Sequence, residues 1–328
     1  MLHETWFWWV SFNVFVLLML ALDLGVFHRT EHEVKIKEAL GWTVFWIALA
    51  LVFNLGLLLG WFGVYEGSQC RKAALEFLTG YLIEKSLSMD NVFVFALLFG
   101  YFKIPPRYQH KILFWGIIGA LIMRGGMIFT GVKLIEMFDW IIIVFGLILI
   151  YSGVKLIFHK DDGLDIEQNK ALALIRKVLP VSDKLHGSRF LIKEKGRLVA
   201  TPLLVILIFI EWTDLVFAVD SIPAIFAISR DPFIIYTSNI FAILGLRSLY
   251  FALAGVLKLF HLLHYGLSVI LLFIGTKMIL VYFGFKIPTI FSLVFVIGVL
   301  ATSIILSIKI KPPESKLPPN IQDHSNKD

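Results

Sequence analysis

Two apolar stretches of this chain, each long enough to cross a bilayer, carry acids at membrane depth, and few folds tolerate that. The first reads Glu84-Lys85-Ser86-Leu87-Ser88-Met89-Asp90-Asn91. The second reads Glu211-Trp212-Thr213-Asp214, followed by Asp220-Ser221-Ile222-Pro223. A charge at the centre of a transmembrane helix costs about 2.5–3.5 kcal/mol even on the lenient insertion scale. Five unpaired carboxylates at that depth would cost on the order of 10 kcal/mol or more. Something must compensate them, and a bound cation is the leading candidate.

Composition agrees with a bilayer as the solvent. Hydrophobic residues make up 58% of the 328 and charged residues 16%, against about 25% charged in soluble domains. The chain therefore reads as an all-α polytopic membrane protein. Its net charge of +6 does not point to nucleic acid, because the basic residues sit in loops where topology explains them. The one cysteine, Cys70, excludes an internal disulfide and any multi-thiolate metal site. Met1–Thr5 has no basic n-region, and the apolar run from Trp6 is too long for a signal-peptide core. That run is expected to remain as a first span.

Apolar runs of about 20 residues mark transmembrane helices. They place nine spans at residues 6–27, 40–64, 74–101, 112–136, 139–158, 202–229, 233–257, 265–284 and 287–308, with a very tight turn at Phe138–Asp139 between the fourth and fifth. With that count, 20 Lys/Arg fall on one side of the membrane, four on the other and six within spans. The positive-inside rule then puts the N-terminus outside and the C-terminus in the cytoplasm. The polar 159–200 segment is expected to be a partly helical cytoplasmic loop, and residues 311–328 a disordered cytoplasmic tail.

The middle of the chain repeats itself. Arg124 answers Arg247, Gly131 answers Gly255, and "SGVKLI" answers "IGTKMIL". Upstream, Glu84-x5-Asp90-Asn91 answers Asp214-x5-Asp220-Ser221. A unit of three spans is odd, so its second copy must enter from the opposite face. The expected organisation is two N-terminal helices (1–72), a first three-helix repeat (73–158), the loop, a second inverted three-helix repeat (201–285) and a last helix (286–310). Inverted repeats of this kind build many secondary transporters, with the site at the midplane between copies.

On a helix Glu84, Ser88 and Asn91 share one face, and Asp214 with Ser221 repeats that relation one turn beyond Glu211. Asp90 and Asp220 sit well round the helix from these unless it unwinds, as Pro223 could allow by freeing the Val219 carbonyl. Glu84, Asp90, Asn91, Glu211, Asp214, Asp220 and Ser221 form the candidate metal set. These are hard oxygen donors, without His or Cys, and suit Mg²⁺, Ca²⁺ or Mn²⁺ rather than Zn²⁺ or copper. Asp23, Lys85, Arg124 and Arg247 are accessory charges. Asp23 serves equally as an interfacial residue beside Arg29, the arginines are expected to pair with acids, and Lys85 faces another acid or yields to a proton. Counted together, six acids against three cations leave about three negative charges, which one divalent ion plus a proton would nearly neutralise. The charge balance makes proton coupling a natural expectation.

The segments "ALDLGVF" (21–27), "FLTGYLIEKSLSMDNVFVF" (77–95), "EWTDLVFAVDSIPAIFA" (211–227) and "TSNIFAILGLRSLYF" (237–251) resemble the TerC family of integral membrane proteins. They are most similar to its Alx-type branch, related to the LysE superfamily. The resemblance implies a metal-ion transporter, with manganese export the best-supported activity and a link by name to tellurium resistance. Tellurite is an anion, which an acidic midplane suits poorly, so that link is read as indirect. The expected function is export of a divalent cation, Mn²⁺ foremost, in exchange for protons, with the metal as cargo and no resident cofactor. The rival expectation is a membrane scaffold or assembly factor acting through the cytoplasmic loop in metal or tellurium stress. An intramembrane enzyme is disfavoured, since no His/Asp zinc motif or Ser/Lys pair is present. The sequence leaves the oligomeric state and the choice among hard divalents open.

Overall fold

A computed structural model describes residues 2–25, 36–102, 104–158, 180–182, 187–194, 197–253, 262–285 and 287–310. Ten helices account for nearly all of them: α1 (Leu2–Gly25), α2 (Ile36–Leu58), α3 (Ser68–Tyr101), α4 (Pro106–Met137), α5 (Ile141–Phe158), α6 (Pro202–Phe226), α7 (Pro232–Leu244), α8 (Leu246–Leu253), α9 (Leu263–Tyr282) and α10 (Thr289–Lys309). They fall on the nine expected spans, the seventh being divided between α7 and α8. Among the described residues, six segments are long and apolar enough to cross a bilayer, and two shorter apolar helices lie at Trp6–Leu22 and Ile141–Ile157. The outer surface is apolar as well: Ile122, Phe129, Leu147 and Val294 are all exposed. Patches of that extent need lipid as their solvent.

Local chemistry explains most helix boundaries. α4, α6 and α7 each begin with a proline, whose missing N–H is one the first turn does not use. Asp231 caps α7, accepting from the backbone N–H groups of Phe233 (2.9 Å) and Ile234 (3.4 Å). The connection from α2 to α3 turns through Gly60, Gly63 and Gly67, all at positive φ. Across it the Tyr65 hydroxyl donates to Asp231 at 2.7 Å. Burial, followed by the neighbouring Asp231 carboxylate, raises that phenol well above its usual range, so it stays a donor.

α3 is central, packed against α2, α6, α7 and α10, while α4 packs on α6 and α7. The most extensive interface joins α5 and α9, antiparallel and built on small residues. A Cβ added at Gly146 would stand 2.9 Å from the Gly275 carbonyl oxygen, and one at Gly153 would stand 3.0 Å from that of Ser268. Gly275→Val is therefore expected to cost about 1–3 kcal/mol by overpacking. The check is a thermal melt of detergent-purified protein, in which an unchanged midpoint would mean that the two helices do not pack this closely.

Two expectations are corrected. Pro223 does not unwind α6, which continues to Phe226. Within the last turn the proline forfeits one backbone bond, and the Ala227 N–H still reaches the Pro223 carbonyl at 3.1 Å. The break falls in the seventh span instead, at Gly245. There the Lys85 ammonium donates to the Ala242 carbonyl at 3.2 Å, serving the partnerless carbonyl end of α7 with a cation. Of the two expectations for Lys85, a facing acid and displacement by a proton, the first gives way, since its ammonium faces a broken helix end. Of the 159–200 segment, expected to be partly helical, the described part lies at its C-terminal end. It forms an antiparallel hairpin of β1 (Leu191–Glu194) and β2 (Arg197–Ala200), with Ile192 and Val199 buried and Leu191 and Leu198 exposed. Residues 159–179 and 311–328 lie outside the described residues.

Candidate metal site

Arg124, at mid-length of α4 and 1% exposed, gathers acids from two other helices and a carboxamide from a third. Its Nη1 donates to Glu84 of α3, and to Asn239 Oδ1 of α7 at 3.0 Å. Its Nη2 and Nε form a fork on Asp214 of α6, at 2.8 and 3.2 Å. Ser221 Oγ lies 3.4 Å from Nη1. Asn91 Nδ2 donates to Asp214 at 2.9 Å, and Asn239 Nδ2 to Glu84 at 3.3 Å. Glu84, Asn91, Asp214, Ser221 and Asn239 are all buried.

The guanidinium suits this position because its planar donors fork onto one carboxylate while still reaching a second, a two-bond geometry a lysine ammonium lacks. With both acids ionised the cluster carries one net negative charge in a low-dielectric surrounding. Two oxygens on the same face of α3 remain unserved: Ser88 Oγ and Asn91 Oδ1 are buried and have no hydrogen-bond partner among the described residues. A buried acceptor left unpaired is costly. These two oxygens, beside two carboxylates, make a donor set for a hard cation. A cavity of about 20 Å³, room for one water-sized guest, borders Asp214 and Arg247 between α3, α4, α6, α7 and α8. Its other walls, including Phe95, Ile117 and Ile243, are apolar.

The remaining candidates are placed apart from this cluster. Asp220, half-buried, turns towards α5 and accepts from Ser152 Oγ at 2.6 Å. Glu211 sits against Gly119 of α4, where any Cβ would overlap its carboxylate, and its Oε2 is buried without a hydrogen-bond partner among the described residues. Arg247 is buried and lines the cavity. The side chains of Asp23 and Asp90 lie outside the described residues. Among the described residues no three His, Cys, Asp or Glu side chains come together as a metal cage. Asn239 is the site residue that pattern reading missed. It is uncharged and sits in an apolar run, and its one signal was a carboxamide at membrane depth, where polar side chains need partners.

The fold and the cluster define a polytopic helical membrane protein with a charged, hydrogen-bonded centre. The chain belongs to the integral membrane protein TerC family, whose model matches residues 70–315. It is 50% identical over 301 residues to the uncharacterized membrane protein STKORF319 of Myxococcus xanthus, covering 92% of this chain and 91% of that one. It is 46% identical over 302 residues to Alx of Escherichia coli strain K12, named for a proposed role as a membrane-bound redox modulator, covering 91% and 93% of the two chains. The Salmonella typhi protein of the same name is 44% identical over 313 residues, covering 94% and 96%. No solved structure matches.

Proposed function

We propose that the chain is a secondary transporter that exports a divalent metal cation, Mn²⁺ foremost, across the bacterial inner membrane in exchange for protons. The observation that carries this reading is the meeting of the two acidic motifs, Glu84 with Asn91 and Asp214 with Ser221, around Arg124, with Glu84, Arg124 and Asp214 all near the middle of their helices. The oxygens gathered there include only two carboxylates, and Arg124 already bonds both. That suits cargo, which must bind well enough to enter and weakly enough to leave.

Inverted repetition supports the same reading. Exchanging α3 with α6, α4 with α7–α8 and α5 with α9 leaves the main helix pairings unchanged: α3·α7 becomes α6·α4, while α3·α6, α4·α7 and α5·α9 map onto themselves. The register that matches Gly153 to Gly275 also matches Gly146 to Ser268. It turns the Gly146–Gly275 contact into the Gly153–Ser268 contact. The rival scaffold reading draws on the docked hairpin, where Lys111 Nζ donates to the Ser188 carbonyl at 2.6 Å. A thiol-based redox role, which the name of the Alx relatives invites, would have to act through Cys70 alone, which is buried with its Sγ 3.1 Å from the Tyr65 carbonyl.

Two measurements test the proposal. Cells that carry the protein should hold less manganese under manganese excess than cells that lack it. In proteoliposomes, Mn²⁺ flux should rise when protons run down their gradient against it, because reprotonated carboxylates release the metal. Flux indifferent to the gradient and to a protonophore would remove proton exchange, and equal manganese contents would remove export.

A further inference from the structure

The cation that already occupies the centre is part of the protein. Arg124 holds both Glu84 and Asp214 with its guanidinium, the place where a transported cation would need those same two carboxylates. We infer that Arg124 is a tethered competitor: it offsets half of the negative charge of the empty site, and the divalent ion must displace it to bind. This rests on the transport reading above and adds the regulation of that site.

Charge counting separates displacement from coexistence. The two carboxylates and Arg124 sum to one negative charge. A divalent ion added beside an unmoved Arg124 would leave one positive charge buried, whereas a divalent ion in place of Arg124 leaves none. A monovalent ion in that place would leave the original negative charge, so displacement by a divalent ion is favoured on charge alone. The contacts of Arg124 also make displacement feasible. Nη1 and Nη2 carry its ion pairs, and Ser221 and Asn239 are neutral partners on two other helices. The unserved Ser88 and Asn91 oxygens are not partners of Arg124, so they remain ready for a guest. The cavity beside Asp214 gives that guest room to arrive.

A tether of this kind weakens the apparent affinity by the fraction of time Arg124 is withdrawn. If that fraction is about one tenth or less, its removal tightens binding about tenfold or more. The test is Mn²⁺ binding to the detergent-purified full chain, followed by electron paramagnetic resonance, in wild type and in R124Q. The expected result is binding at least about tenfold tighter in R124Q, with Mn²⁺ release and net flux lost. Equal or weaker binding by folded R124Q, with wild type binding normally, would overturn the competitor role and leave the transport reading intact. Absence of binding in both would overturn the transport reading itself. Should R124Q fail to fold, a structure of the wild-type protein with Mn²⁺ decides. Arg124 released from at least one carboxylate upholds the inference, and Arg124 still bonded to both Glu84 and Asp214 beside the bound metal overturns it.

Discussion

Replacing Arg124 by leucine is expected to cost about 3–5 kcal/mol of stability, the usual penalty for leaving buried ions without their partner. The arithmetic is local. Glu84 and Asp214 are 0% and 4% exposed, and without the guanidinium they face each other as two like charges in a low dielectric. R124L combined with D214N returns the cluster to one net negative charge, so the double variant should recover part of the loss. Denaturant or thermal unfolding in detergent reads both numbers. A loss under about 1 kcal/mol for R124L would mean that the cluster is hydrated like a surface ion pair.

Neutralising one acid has the opposite balance, and the expected result differs accordingly. Glu84→Gln or Asp214→Asn leaves one carboxylate with one arginine, a neutral buried pair. Both variants should insert and accumulate like the parent chain. Each nevertheless removes half of the negative charge that would attract a divalent ion, so manganese tolerance and extrusion should fall to the level of cells without the protein. Cells expressing D214N at matched level and growing like wild type under manganese excess would favour the scaffold reading, which needs no charge at that depth.

Much of this architecture is written in one-dimensional pattern. Apolar runs locate the spans, and the turn at Phe138–Asp139 separates α4 from α5 within a residue or two. Helical spacing alone puts Glu84, Ser88 and Asn91 on one buried face. What pattern cannot supply is rotation about a helix axis relative to the neighbours. That is why Asn239 escaped notice, and why the partner of Asp220 proved to be Ser152 of α5. It is also why the pattern does not reveal that Lys85 meets the carbonyl end of α7. The break at Gly245 illustrates a second limit. Proline is the louder signal, but its position one turn from the end of α6 disarms it. Gly245 sits mid-span beside Lys85, whose ammonium stabilises the open helix end.

The account stands or falls on whether the Glu84–Asp214 cluster carries the metal. The most direct measurement is Mn²⁺ flux into or out of proteoliposomes holding equal amounts of wild-type and D214N protein, with the same imposed proton gradient. Gradient-driven flux in the wild type, reduced to the protein-free background in D214N, is the predicted result. Equal flux in the two would place the path elsewhere and contradict the assignment.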